Sequence, residues 1–142
     1  MKISYHLFYG PTDWEFVQRH VPMQRMEDTT GLMAINDDSN EIMGCLMVDN
    51  FLRNSVHGTL IIANSQVLRH GFFDECFDWV FNQLEKRYIY ALVHEENTKA
   101  LRLNKRLGFE EMARLNEGYA EGIDYILMKL SRENYETNMG KK

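Results

Sequence analysis

Apolar residues along the chain fall into runs of two different periods, and the change of period marks out the elements. ISYHLF (3–8) suits a first strand, and GPTDWEFVQRHVP then supplies a turn, a cap at Thr12 or Asp13 and a short helix stopped by Pro22. GLMAIN (31–36) and IMGCLMV (42–48) are two apolar runs separated by DDSNE, which is hairpin chemistry. After a polar loop holding Arg53, Asn54 and Ser55, GTLIIANS (58–65) predicts another strand. Phe73, Cys76, Phe77, Val80, Phe81 and Leu84 then recur at intervals of three and four, with acidic and amide residues between them. That stripe predicts an amphipathic helix over 73–84. YIYALV (88–93) follows as a strand, residues 97–107 as a second helix stopped by Gly108, and 110–115 with 123–130 as a closing hairpin around NEGYAEG.

The order is β-α-β-β-β-α-β-α-β-β. A strand, a long helix and a buried strand in succession imply a right-handed parallel crossover, while the hairpins add antiparallel neighbours. The expectation is a single mixed α/β domain over 1–131, followed by a polar, frayed tail over 132–142. At 142 residues the chain suits one domain with a real core. Composition changes this picture little: 44% hydrophobic and 26% charged is the balance of a globular protein. The net charge of −5 argues against a general nucleic-acid coat. No window approaches the roughly 18 to 20 apolar residues of a membrane span, and the N-terminus lacks the pattern of a secretory signal. Cys45 and Cys76 lie in apolar stretches with no metal-type spacing, as buried thiols of a reducing cytoplasm would.

One block says more than periodicity does. EENTKALRLNKRLGF (95–109) resembles the Asn-x-x-Ala-x-x-x-Tyr-x-x-x-Gly-Phe block of the GCN5-related N-acetyltransferase (GNAT) superfamily. Asn97, Ala100, Gly108 and Phe109 match, and Asn104 stands at the tyrosine position. The strand and helix order fits over roughly residues 3–131. More narrowly, HVP (20–22), AIN (34–36), IMGCLMVDNF (42–51) and GIDYILMKL (122–130) resemble small GNAT-like proteins of bacteriophages.

The resemblance implies a mixed sheet with a splayed parallel strand pair and helices on both faces. It also implies acetyl-CoA, or another acyl-CoA, as acyl donor, and an amine on a small molecule or protein as acceptor. A host-cell cytoplasm would be the location for a phage-encoded chain. By the same resemblance Ile62, Ala63, Arg69, His70, Gly71, Phe72, Asn97 and Ala100 would bind the thioester cofactor. On the residues alone, Asn97 serves equally well as a helix cap, Gly108 as a helix stop and Arg69 as a solvated loop charge.

Two departures matter. The family's phosphate loop, Gln/Arg-x-x-Gly-x-Gly/Ala, matches LRHGFF (68–73), where Gly71 is kept but Leu68 and Phe73 replace the basic and small residues. The family's strand-borne glutamate falls near Thr59, which cannot act as a base. His57, His20 or a water held by Asn64 are the substitutes, and Asn104 would be the donor to the departing thiolate. The thiol's ordinary pKa near 8.5 means that step needs only about 2 kcal/mol of help at neutral pH. Met23, Met26, Asn50, Phe51 and Tyr119 would line the acceptor side, and Lys99, Arg102 and Arg106 form a basic helix face.

Three functions fit these residues: an N-acyltransferase, a GNAT-fold phage structural or host-interaction protein without catalysis, and nucleic-acid base modification on the same scaffold. The C-terminal strand edge also suits a homodimer.

Overall fold

A computed structural model describes residues 1–139, and the last three residues of the expected tail, 140–142, lie outside them. The chain divides into two compact units. The first joins residues 1–51 with 57–84, and the second joins 52–56 with the residues from 85 onward.

In the first unit, β1 (Ile3–Leu7), β2 (Thr30–Asn36), β3 (Ile42–Asp49) and β4 (Ser55–Ile62, from His57 on) form an antiparallel meander. β2 and β3 are buried on both faces, which is why their sequences are continuously apolar rather than alternating. One face carries Met33, Ile35, Cys45, Met47 and Ile61, packed against Phe16 and Val17 of α1 (Gly10–His20). The opposite face meets α2 (Phe72–Asp78), whose Phe72 ring lies under Gly44.

Helix α1 begins earlier than the cap expected at Thr12 or Asp13. Tyr9 is the extended N-cap residue, and Pro11 sits in the first turn, where its missing N–H is no loss. Asp13 instead lies inside the helix, and its buried carboxylate accepts from the Tyr9 N–H at 3.0 Å and from His6 Nε2 at 3.1 Å. Strand β4 starts three residues before the expected position and ends at Ile62. The N–H groups of Ala63 and Asn64 both donate to the Met43 carbonyl at 3.0 Å, a bulge that ends the ladder. The predicted helix over 73–84 is present, but its last turn is a π-helix, Trp79–Gln83, closed by Leu84 N–H donating to the Trp79 carbonyl.

In the second unit the strand order is β5 (Tyr88–His94), β7 (Ile123–Ser131), β6 (Glu110–Ala120), all antiparallel. Helix α3 (Thr98–Leu107) has Asn97 as N-cap and Gly108, at φ +107°, as C-cap. Both follow the sequence reading. The hairpin is longer than expected, because β6 runs on to Ala120 with residues 116–119 bulged against β7. The tail is not frayed over 132–139: it forms α4 (Arg132–Met139), capped by Ser131 Oγ accepting from Asn134 N–H at 3.0 Å. The Asn134 side chain in turn bonds Glu110 and the Gly108 carbonyl, and so fixes the helix to the start of β6.

Candidate active site

On the α1-facing side of the first unit, the register of β3 and β4 produces a row of facing pairs: Cys45 with Ile61, Met47 with Thr59, and Asp49 with His57. Side chains two apart on a strand share a face, so the row changes from apolar to polar as it leaves the core. At its end His57 Nδ1 donates to Asp49 Oδ1 at 2.9 Å. The imidazole is 22% exposed and the carboxylate 13%, so the pair is shielded without being sealed. With Nδ1 carrying the hydrogen, the neutral ring keeps its lone pair on Nε2. Thr59 is one pair along the same face. Two residues of strand put it about 7 Å from His57.

The loop after α1 reaches the same end of the meander. Asp28 Oδ2 accepts from the Phe51 N–H at 2.9 Å, two residues beyond Asp49. Of the residues expected on the acceptor side, Met23 packs on the α1 cluster and Met26 is exposed. Phe51 lies in the loop after β3, bonded to Asp28, whereas Tyr119 belongs to the second unit, stacked on His94 at 4.3 Å.

His20 and Asn64 are placed differently from His57. The His20 ring lies on Phe16, and its Nδ1 donates to the Phe16 carbonyl at 2.8 Å, so it closes the end of α1. Asn64 Oδ1 accepts from Gln66 N–H at 3.0 Å and caps a six-residue 3-10 turn, Ser65–His70.

That turn delivers the loop expected to hold phosphate. Gly71 adopts φ +74°, ψ +25°, a left-handed conformation costly for any residue with a Cβ, and faces open space. Leu68, Arg69 and His70 are exposed beside it. Phe72 is fully buried, and Phe73 stacks along the helix on Phe77 (6.3 Å between centroids), so the ring lies along α2. No side chain caps the start of α2, where the Glu75 N–H donates to the Gly71 carbonyl at 3.0 Å, and Asp74 and Glu75 put negative charge in its first turn. On β4, ladder alternation aims the Leu60 and Ile62 N–H groups away from β3, given that Ala63 N–H bonds Met43. Ile62 and Ala63 therefore differ: the Ala63 N–H is committed, and the Ile62 N–H points to the other side.

Asn97, Ala100 and Asn104 belong to the second unit. Asn97 Oδ1 accepts from Ala100 N–H at 3.2 Å, a plain N-cap bond. Asn104 is buried, its amide donating to Met128 Sδ at 3.7 Å, while its backbone carbonyl accepts from Phe109 N–H. Lys99, Arg102 and Arg106 are exposed on the opposite side of α3. Asp49 is the residue that sequence reasoning missed. The predicted strands stopped at Val48 and started at Gly58, which left Asp49 and His57 in a loop.

No family model matches the chain, and no curated protein matches it in sequence. Solved structures do. The spermidine/spermine N-acetyltransferase SpeG from Vibrio cholerae, in complex with manganese ions, superposes with a TM-score of 0.76 at 16% identity, over 95% of each chain. The fold is that of the GNAT acetyltransferases. A Desulfovibrio desulfuricans protein assigned to the GNAT family gives a TM-score of 0.69 at 16% identity, over 92% of this chain and 99% of that one. Glutamate-to-glutamine mutant forms of the Vibrio cholerae SpeG give 0.76 at 17% identity, over 96% and 98%. The mixed α/β architecture expected from the sequence is thus the GNAT fold. Among the described residues no helix is long and apolar enough to cross a membrane.

Proposed function

We propose that this protein is an acyl-CoA-dependent N-acyltransferase that moves an acetyl group directly from the thioester to an amine. The carrying observation is the GNAT fold, matched over 95% of both chains by an N-acetyltransferase. The site residues fit the donor in three respects. Gly71 holds its left-handed turn over open space, Phe73 packs along its helix, and the Ile62 backbone N–H is aimed away from β3. Arg69, His70, Gly71 and Phe72 would hold the pyrophosphate, and Ile62, Ala63, Asn97 and Ala100 the pantetheine arm.

In this reading a β4 backbone N–H stabilises negative charge developing on the thioester oxygen, which needs a fixed donor rather than a special side chain. His57 removes the amine's proton. Asn64 and His20 are already engaged as cap and helix end, so they support the fold and not the proton transfer. One hydrogen of the Asn104 amide is turned inward on Met128, leaving at most the other for a departing thiolate. Water shares that task. The phage-like motifs, the cytoplasmic location and a homodimer belong to the same proposal, but the C-terminal strand β7 is not the edge expected for that dimer, because it pairs with β5 on one side and β6 on the other.

Acetyl-CoA tests it by thermal shift. With a dissociation constant near 10 μM, 1 mM ligand stabilises the fold by about 2.7 kcal/mol, or roughly 8 °C. No shift with acetyl-CoA, CoA or longer acyl-CoAs would refute the enzyme reading. It would favour the catalytically silent GNAT-fold protein, for which Asp74 and Glu75 at the start of α2 are the supporting observation.

A further inference from the structure

We infer that Asp49 is the positioning residue that makes His57 the proton acceptor. The inference rests on the acyltransferase reading and deepens it.

The chain has five histidines, and their surroundings differ. His70 is an exposed residue of the loop before α2. His20 is bonded to a neutral carbonyl. His94 stacks on Tyr119, and its buried Nδ1 has no hydrogen-bond partner among the described residues. His6 does face a carboxylate, but Asp13 also takes the Tyr9 N–H and thereby closes the start of α1. Asp49 has no such helix to cap. Its bond to His57 Nδ1 runs across a strand pair that fixes both Cα positions. A carboxylate on Nδ1 holds the ring in the tautomer with its lone pair on Nε2, and stabilises the imidazolium once a proton is taken.

The charges at this end of the meander include Arg25, on the same loop as Asp28, with its guanidinium over the Phe8 and Trp14 rings. Asp28 and Asp49 put two carboxylates there, on the loop after α1 and on β3. An alkyl ammonium is the dominant form of a primary amine at neutral pH. His57 Nε2 takes one proton from it. The nitrogen lone pair then forms the new C–N bond at the thioester carbon, and the C–S bond breaks with its electron pair on sulfur. Two protons leave the nitrogen overall, one ending on the thiol and one in solvent.

The test uses the full chain. Nitrogen-15 NMR of the wild-type protein should show His57 protonated at Nδ1 and bare at Nε2, an observation that needs no variant. Acetyl transfer from acetyl-CoA to spermidine, benzylamine and a lysine-containing peptide is followed by thiol release. Asp49→Asn and His57→Ala should each lower kcat at least about 100-fold with KM for acetyl-CoA changed less than twofold. The double variant should be no slower than the worse single one, and Asp49→Glu should recover part of the rate. A wild-type ring protonated at Nε2, additive losses, or an unchanged kcat in Asp49→Asn would overturn the inference. So would thermal binding of acetyl-CoA without acetylation of any of the three amines, which leaves the acyl-CoA reading standing. Absence of acetyl-CoA binding defeats both together.

Discussion

Gly44→Ala puts the connection between the core and the candidate phosphate loop under direct strain. A Cβ built at Gly44 meets the Ile61 carbonyl oxygen at 2.7 Å and the Phe72 ring at 3.4 and 3.5 Å. The ring contacts are ordinary packing distances. The carbonyl contact is not, and because it is backbone, β3 and β4 must move apart or twist to relieve it. Next to Gly44 lies the Met43 carbonyl that receives Ala63 and Asn64 at 3.0 Å, so the displacement falls on the bulge from which the capped turn and Gly71 hang. Overpacking of this kind costs about 1–3 kcal/mol, and a backbone neighbour on a strand buried on both faces places Gly44 in the upper half of that range. For a chain of this size, about 2–3 kcal/mol lowers Tm by roughly 5–10 °C. Differential scanning fluorimetry with and without 1 mM acetyl-CoA measures both consequences, because the ligand-induced shift should also shrink. Gly71→Ala is the comparison: its Cβ meets nothing within 4 Å, so only the left-handed strain, about 1–2 kcal/mol, is added. A Gly44→Ala protein within 0.5 kcal/mol of wild type, or less perturbed than Gly71→Ala, would refute the packing argument.

Burial pushes the Cys45 thiol up to about 12, with Asp13 adding to it, and pushes Cys76 well above its ordinary value. The unfolded thiols ionise first, so stability is whole below pH 9 and falls as pH rises toward 12; Cys45 alone removes about 2 kcal/mol by pH 10.5. Urea titrations at pH 8 and 10.5 measure this, and Cys45→Ala should flatten the slope; an unchanged slope would contradict it. A thiol reagent such as DTNB should label neither cysteine until the chain unfolds. Asn97→Ala should cost about 1 kcal/mol through its lost cap, while Asn97→Ser keeps stability within a few tenths. If Asn97 also touches the donor, Asn97→Ser weakens acetyl-CoA binding in spite of its intact stability. Unchanged binding would leave Asn97 as a cap alone.

What could be read from the residues in order was whatever is local. Asn97 as cap and Gly108 as stop follow from the chemistry of one helix, and the Phe73–Leu84 stripe from one face of another. The helical tail escaped notice because α4 has little apolar patterning of its own and is held by Asn134 against Gly108 and Glu110, distant in sequence. Asn104 looked like a site residue because it stands at a motif position. Only the fold shows its amide bonded to Met128. The pairing of Asp49 with His57 is the strongest case. Neither residue belongs to a periodic pattern, and they lie eight positions apart on either side of a loop. Sequence alone established that a strand precedes the loop and another follows it. Register, which is decided by how two whole strands bury their faces, made the two side chains neighbours.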